Sequence, residues 1–139
     1  MKKIKIALIE DDEVLSKVLN EELIDAGFEV HQAFDGEAGL ELVQKETPDL
    51  ALLDIMLPKM KGFDVLKEMK KSPGTKGIPV MILTMLGSDD DIKKGLQLGA
   101  NDYIVKSQHA VGEIVDKVKD FFGQESRPEA KQAEETEEK

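Results

Sequence analysis

Five strand-length runs, each followed by a segment of helical period, constrain this chain more than any other feature. The strands read as Lys5-Ile6-Ala7-Leu8-Ile9, the alternating Phe28 to Ala33, Leu50-Ala51-Leu52-Leu53, Val80-Met81-Ile82-Leu83 and Asp102-Tyr103-Ile104-Val105. Runs this apolar have no face to offer water, so they belong in a parallel sheet covered by helices on both sides. Short connections and right-handed crossovers leave few topologies, of which an open, doubly wound five-stranded α/β sheet leads.

The intervening segments carry their own punctuation. Val14, Leu15, Val18, Leu19 and Leu23 recur at helical spacing before Gly27 closes the first helix. Asp35 is placed to cap a second helix that turns Ala38, Leu42 and Val43 inward. Pro58 and Gly62 shape a loop into a third helix from Phe63 to Lys70, and Ser88 caps a fourth that runs to Leu96. The last helix shows a stripe of Val111, Ile114, Val115, Val118, Phe121 and Phe122. Beyond Gly123 the stripe ends. Residues 124–139 are mostly Glu, Lys, Ala and Gln, and the expectation is a folded domain over 1–123 followed by a disordered acidic tail over 124–139.

Composition removes several function classes. The 139 residues suffice for one domain with an apolar core, and the absence of cysteine excludes disulfides and Cys-ligated zinc. A net charge of −10 with no basic stripe argues against direct nucleic-acid binding. The run Ile4 to Ile9 is too short for a signal-peptide core and nothing approaches a membrane span, so a cytoplasmic protein with no membrane partner is expected.

In open α/β sheets, ligands bind beyond the carboxyl ends of the strands. The first strand ends in Glu10-Asp11-Asp12-Glu13, the third in Asp54, the fourth in Thr84 and the fifth in Lys106. Carboxylates gathered there repel one another by roughly 4 kcal/mol per pair about 4 Å apart at an effective dielectric near 20. Mg²⁺ relieves that cost and characteristically joins one or two carboxylates to a phosphate. With a hydroxyl and an ammonium opposite, the set suits phosphoryl transfer.

The segments Ile6 to Glu13, Leu52-Leu53-Asp54-Ile55-Met56-Leu57-Pro58, Gly62, Ile82-Leu83-Thr84 and Gly99 to Lys106 together resemble the receiver domains of two-component response regulators, the CheY-like family, from about Lys3 to Phe122. The resemblance implies a flavodoxin-like sheet of order 2-1-3-4-5 and a signalling phosphoacceptor rather than a dedicated enzyme. It implies Asp54 as phosphoacceptor, with Asp11 and Asp54 as Mg²⁺ ligands, Glu10 acting through water and the Met56 carbonyl completing the protein's share. Asp11-Asp12 stays open as the alternative acidic pair. Thr84 and Lys106 would hold the phosphoryl oxygens, and Thr84 and Tyr103 would switch the face formed by helix 4, strand 5 and helix 5. The implied donor is a histidine kinase or histidine phosphotransfer protein. With no second folded domain expected after Phe122, the output would run through a downstream protein partner, a homodimer or a phosphorelay.

Some positions depart from the family pattern. Met85 follows Thr84 where a small residue is usual, and Ser107 follows Lys106 where a proline with a cis bond is common. Met56 and Leu86 are apolar at positions that tune dephosphorylation, which points to a long-lived phospho-form. Three rival readings meet particular residues of this chain. A flavin-binding protein needs a Ser/Thr/Gly-rich cradle where this chain has acids. An aspartyl-phosphate phosphatase places a second acid where Met56 stands. A degenerate receiver would signal without phosphorylation: the intact acid, Thr and Lys set opposes it and Met85 keeps it open.

Overall fold

A computed structural model describes residues 2–123; the expected acidic tail lies outside them. In chain order the elements are β1 (Lys5–Ile9), α1 (Glu13–Asp25), β2 (Glu29–Ala33), α2 (Gly36–Glu46), β3 (Leu50–Leu53), α3 (Gly62–Lys71), β4 (Val80–Thr84), α4 (Asp89–Gln97), β5 (Asp102–Val105), a 3-10 turn (Lys106–Gln108) and α5 (Val111–Phe121). The strands form one sheet of order β2-β1-β3-β4-β5, every neighbouring pair parallel. This is the doubly wound sheet that the apolar runs require.

The alternation of side chains divides the core between the two faces of the sheet. Ala7, Ile9, Ala51, Leu53, Val80 and Ile82 pack with Val43 of α2 and with Val65, Leu66 and Met69 of α3. Ile6, Leu8, Leu50, Leu52, Met81 and Leu83 face the other way, against Leu19 and Leu23 of α1 and Ile114, Val115 and Val118 of α5. At about 25 cal/mol per Å² of apolar surface removed from water, each large buried side chain stabilises the fold by roughly 1.5–3 kcal/mol.

Three helices begin at side-chain caps, two of which, Asp35 and Ser88, are the ones read from the sequence. Asp12 accepts from the N–H groups of Val14 and Leu15, Asp35 from Ala38 and Ser88 from Asp91. The chain leaves α1 through Gly27 at φ +100°, a conformation glycine adopts without penalty.

The α1 stripe is narrower than its periodicity suggests. Val14 is 75% exposed and Val18 37%, while Leu19 and Leu23 are buried. Ser16 is also buried, with its hydroxyl accepting from Gln32 Nε2 at 2.8 Å, so a polar contact with β2 occupies part of the inward face. Among the described residues there is no cis peptide bond, so the Lys106–Ser107 bond is trans, and no helix is long and apolar enough to cross a membrane.

Candidate functional site

The register of the sheet brings the four strand ends together. Ile9 lies opposite Leu53, Leu53 opposite Ile82, and Thr84 opposite Val105. The residue that follows β1 therefore stands beside the residue that follows β3, and Asp54 N donates to Ile9 O at 3.0 Å. Strand order reverses between β1 and β3, which is where open α/β sheets open a crevice.

Glu10 and Asp54 are both buried, at 1% and 4% exposure, and Lys106 Nζ lies between them, 2.9 Å from Asp54 Oδ2 and 2.5 Å from Glu10 Oε1. The contact with Asp54 is a charge-assisted hydrogen bond. That with Glu10 is a close ion pair that engages the buried Oε1. Glu10 Oε2 accepts from Asp12 N at 3.0 Å, and Asp54 Oδ1 accepts from Met56 N at 3.1 Å. Burial lifts the Glu10 carboxyl to about 7, against the opposing pull of Lys106 and the Asp12 N–H and with added repulsion from Asp54. The Lys106 ammonium is harder to deprotonate than usual: burial acts against its charge, but the two carboxylates outweigh burial.

One carboxylate oxygen from each of Glu10, Asp11 and Asp54 lies within 4.8 Å of the others. Asp11 is exposed at the mouth and the other two are buried, while the Asp12 side chain is occupied by the α1 cap. An all-oxygen cluster of three carboxylates, two of them buried, suits a hard divalent cation that keeps part of its hydration, as Mg²⁺ does.

Thr84 is fully buried at the end of β4, its Oγ1 accepting from Leu86 N at a long 3.4 Å. Tyr103 is half-buried and its hydroxyl donates to Leu86 O at 2.6 Å. Burial, with help from Asp91 and Asp54, pushes that phenol up to about 12, so it remains a donor. Met56 and Met85 flank the site with exposed side chains. All seven residues singled out in the sequence thus lie around one edge of the sheet. Reasoning from side chains missed the backbone partners, the Met56 N–H on Asp54 and the Leu86 carbonyl on Tyr103, because every residue carries those groups and no residue type marks them.

Residues 6–119 match the family described as the response regulator receiver domain, and the chain belongs to that family. The DNA-binding dual master transcriptional regulator RpaA of Synechocystis is 41% identical over 102 residues, covering 73% of this chain and 42% of RpaA. The chain spans less than half the length of the curated relatives it matches. A CheY-like receiver domain protein from Methanospirillum hungatei superposes with a TM-score of 0.78 at 28% identity, covering 86% of this chain and 93% of that one. The Mn²⁺-bound form of response regulator Rcp1 does so with a TM-score of 0.76 at 31% identity, covering 86% and 94%.

Proposed function

We propose that Asp54 accepts a phosphoryl group from a histidine kinase or histidine phosphotransfer protein in a Mg²⁺-dependent reaction, and that the face of α4, β5 and α5 changes its partner preference in consequence. The observation that carries this reading is the Lys106 ammonium held between two buried carboxylates beside an exposed third. Such a group is costly to bury and finds its use where negative charge arrives.

Each residue has a part. The Asp54 carboxylate is the nucleophile, oriented by the Met56 N–H on Oδ1, which leaves Oδ2 toward Lys106. Glu10, Asp11, Asp54 and the Met56 carbonyl would hold Mg²⁺, which when bound neutralises charge on the phosphoryl oxygens. Lys106 turns from the carboxylate to a phosphoryl oxygen as the bond to Asp54 forms. Thr84 Oγ1, held among the described residues only by the long contact from Leu86 N, is free to donate to another.

Thr84 and Tyr103 both touch the backbone of Leu86. A Thr84 hydroxyl drawn toward phosphate releases Leu86 N, and the loop that accepts the Tyr103 hydroxyl moves with it. That is a two-state element biased by new local charge. The receiver would act through a downstream protein partner or a homodimer.

The test is intact mass after incubation with acetyl phosphate and Mg²⁺. Wild type is expected to gain one phosphoryl group and Asp54→Ala none; an unmodified wild type, or a modified Asp54→Ala, overturns the assignment. Met56 and Leu86 have no polar side chain to orient an attacking water. The phospho-form is therefore expected to persist after the donor is removed, and rapid Mg²⁺-dependent loss in a mass time course would contradict this.

A further inference from the structure

Lys61 breaks a local rule of helix construction. It is the N-cap of α3, extended at φ −69° and ψ 151°, and its side chain makes no capping hydrogen bond. Asn, Asp, Ser or Thr there would satisfy an orphan N–H, and a cation sits badly against the positive end of the helix dipole. Helices α1, α2 and α4 obey the rule through Asp12, Asp35 and Ser88, and of the two helices whose N-cap makes no side-chain capping bond, α5 has the neutral Ala110 and α3 the cation. Neighbouring lysines have partners, Lys59 with Asp35 and Lys67 with Asp64, whereas Lys61 is in no ion pair among the described residues. Departures from local physics without a structural return concentrate at functional positions.

The position of Lys61 supplies the function. Gly62, the next residue, donates its N–H to Ile55 O at 2.9 Å and packs so closely that a Cβ would fall 2.1 Å from the Asp54 carbonyl oxygen. Lys61 is thereby anchored beside the backbone that presents Asp54. A cavity of about 420 Å³ opens there, with Asp11, Met56, Pro58, Lys61 and Leu86 in its wall, and Lys61 is the one cation among the described residues that line it. Lys106, the cation at Asp54 itself, is already committed to Glu10 and Asp54.

We infer that Lys61 is a specificity-determining residue for the phosphoryl donor, its ammonium drawing a dianionic donor into this cavity. The attraction works against the negative field of Glu10, Asp11, Asp12 and Glu13 in a chain of net charge −10. This rests on the reading of Asp54 as phosphoacceptor. In the step it serves, an Asp54 carboxylate oxygen bonds to phosphorus, the bond from phosphorus to the acyl oxygen of acetyl phosphate breaks, and acetate leaves with that electron pair. No proton is transferred. Lys61 acts on the donor's approach, so its mark falls on the apparent second-order rate constant and its salt dependence.

Wild type, Lys61→Asn and Lys61→Arg are compared with acetyl phosphate and Mg²⁺ at low and high salt, with Asp54→Ala as the blank. Phosphoramidate, whose protonated nitrogen lowers its net negative charge, serves as a second donor. Lys61→Asn gains a neutral cap and is expected to melt roughly 3 °C higher. It should nonetheless react about fivefold more slowly with acetyl phosphate at low salt, with a smaller loss at high salt and with phosphoramidate. Lys61→Arg should keep the wild-type rate. A wild-type rate for Lys61→Asn, an equally slow Lys61→Arg, or a loss indifferent to donor and salt overturns the role of Lys61. If wild type is not phosphorylated by either donor, the reading of Asp54 fails and this inference with it; if all three proteins react alike, Lys61 alone is misassigned.

Discussion

Gly62→Ala is expected to destabilise the protein by about 3 kcal/mol, the upper end of the usual range for overpacking. The Cβ it introduces would lie 2.1 Å from the Asp54 carbonyl oxygen and 2.6 Å from Ile55 Cα. Both are backbone atoms, so no side-chain rotation makes room. Either α3 retreats and the Gly62 N–H to Ile55 O bond is lost, or the segment that presents Asp54 shifts. In each case the phosphoacceptor moves, and phosphorylation by acetyl phosphate should slow together with the loss of stability. Gly77→Ala provides the control, because a Cβ there meets nothing within 4 Å. It should be neutral or slightly stabilising through a less flexible unfolded chain. Urea denaturation of the two variants decides the matter: a Gly62→Ala midpoint equal to that of wild type would show that the chain yields at this contact.

That contact also marks where sequence reasoning stops. Gly62 was visible as a loop-shaping residue, but its close approach to Asp54 follows from the packing of two segments that the sequence does not place. Strand identity was legible because Leu50 to Leu53 and Val80 to Leu83 are runs apolar enough to be buried on both faces, whereas the order 2-1-3-4-5 followed from the family resemblance and not from the runs. The orientation of α1 was partly hidden. Periodicity counts Val14 and Val18 as inward, while Ser16, buried by its bond to Gln32, takes inward space that no hydrophobic pattern would give to serine.

In the site, side-chain chemistry was legible and its division of labour was not. Four successive acids, Glu10 to Glu13, follow β1, and the pair could have been Glu10-Asp11 or Asp11-Asp12. Capping separates them: the Asp12 carboxylate serves Val14 and Leu15, whereas Glu10 and Asp11 meet Asp54. That separation needs the start of α1 fixed to the residue, the feature of a helix least determined by sequence.

Lys106→Met is the substitution expected to have the larger effect on the site. Methionine nearly preserves the length and volume of the side chain and removes only the charge, so the core packing stays while Glu10 and Asp54 lose the cation between them. Removing one partner from a buried ion pair costs about 3–5 kcal/mol, a large share of the 5–15 kcal/mol typical of a domain. The loss should depend on pH. Glu10 takes up its proton at about 7 in the folded protein against 4.5 ordinarily. Below 4.5 both the folded and the unfolded chain hold that proton. Between 4.5 and 7 the folded chain holds it more tightly, so this group's contribution to stability declines as pH rises through that window. Without Lys106 the downward pull on Glu10 is gone, so the window extends upward and the total decline across it is larger. Urea titrations at about pH 5 and about pH 8 should therefore show the variant close to wild type in acid and far below it in base, with Mg²⁺ restoring more stability to the variant than to wild type at the higher pH. Phosphorylation should also fall, by about 10²–10³-fold, since the ammonium that would meet a phosphoryl oxygen is gone. A variant as stable as wild type near pH 8 without metal would mean that the two carboxylates do not depend on Lys106.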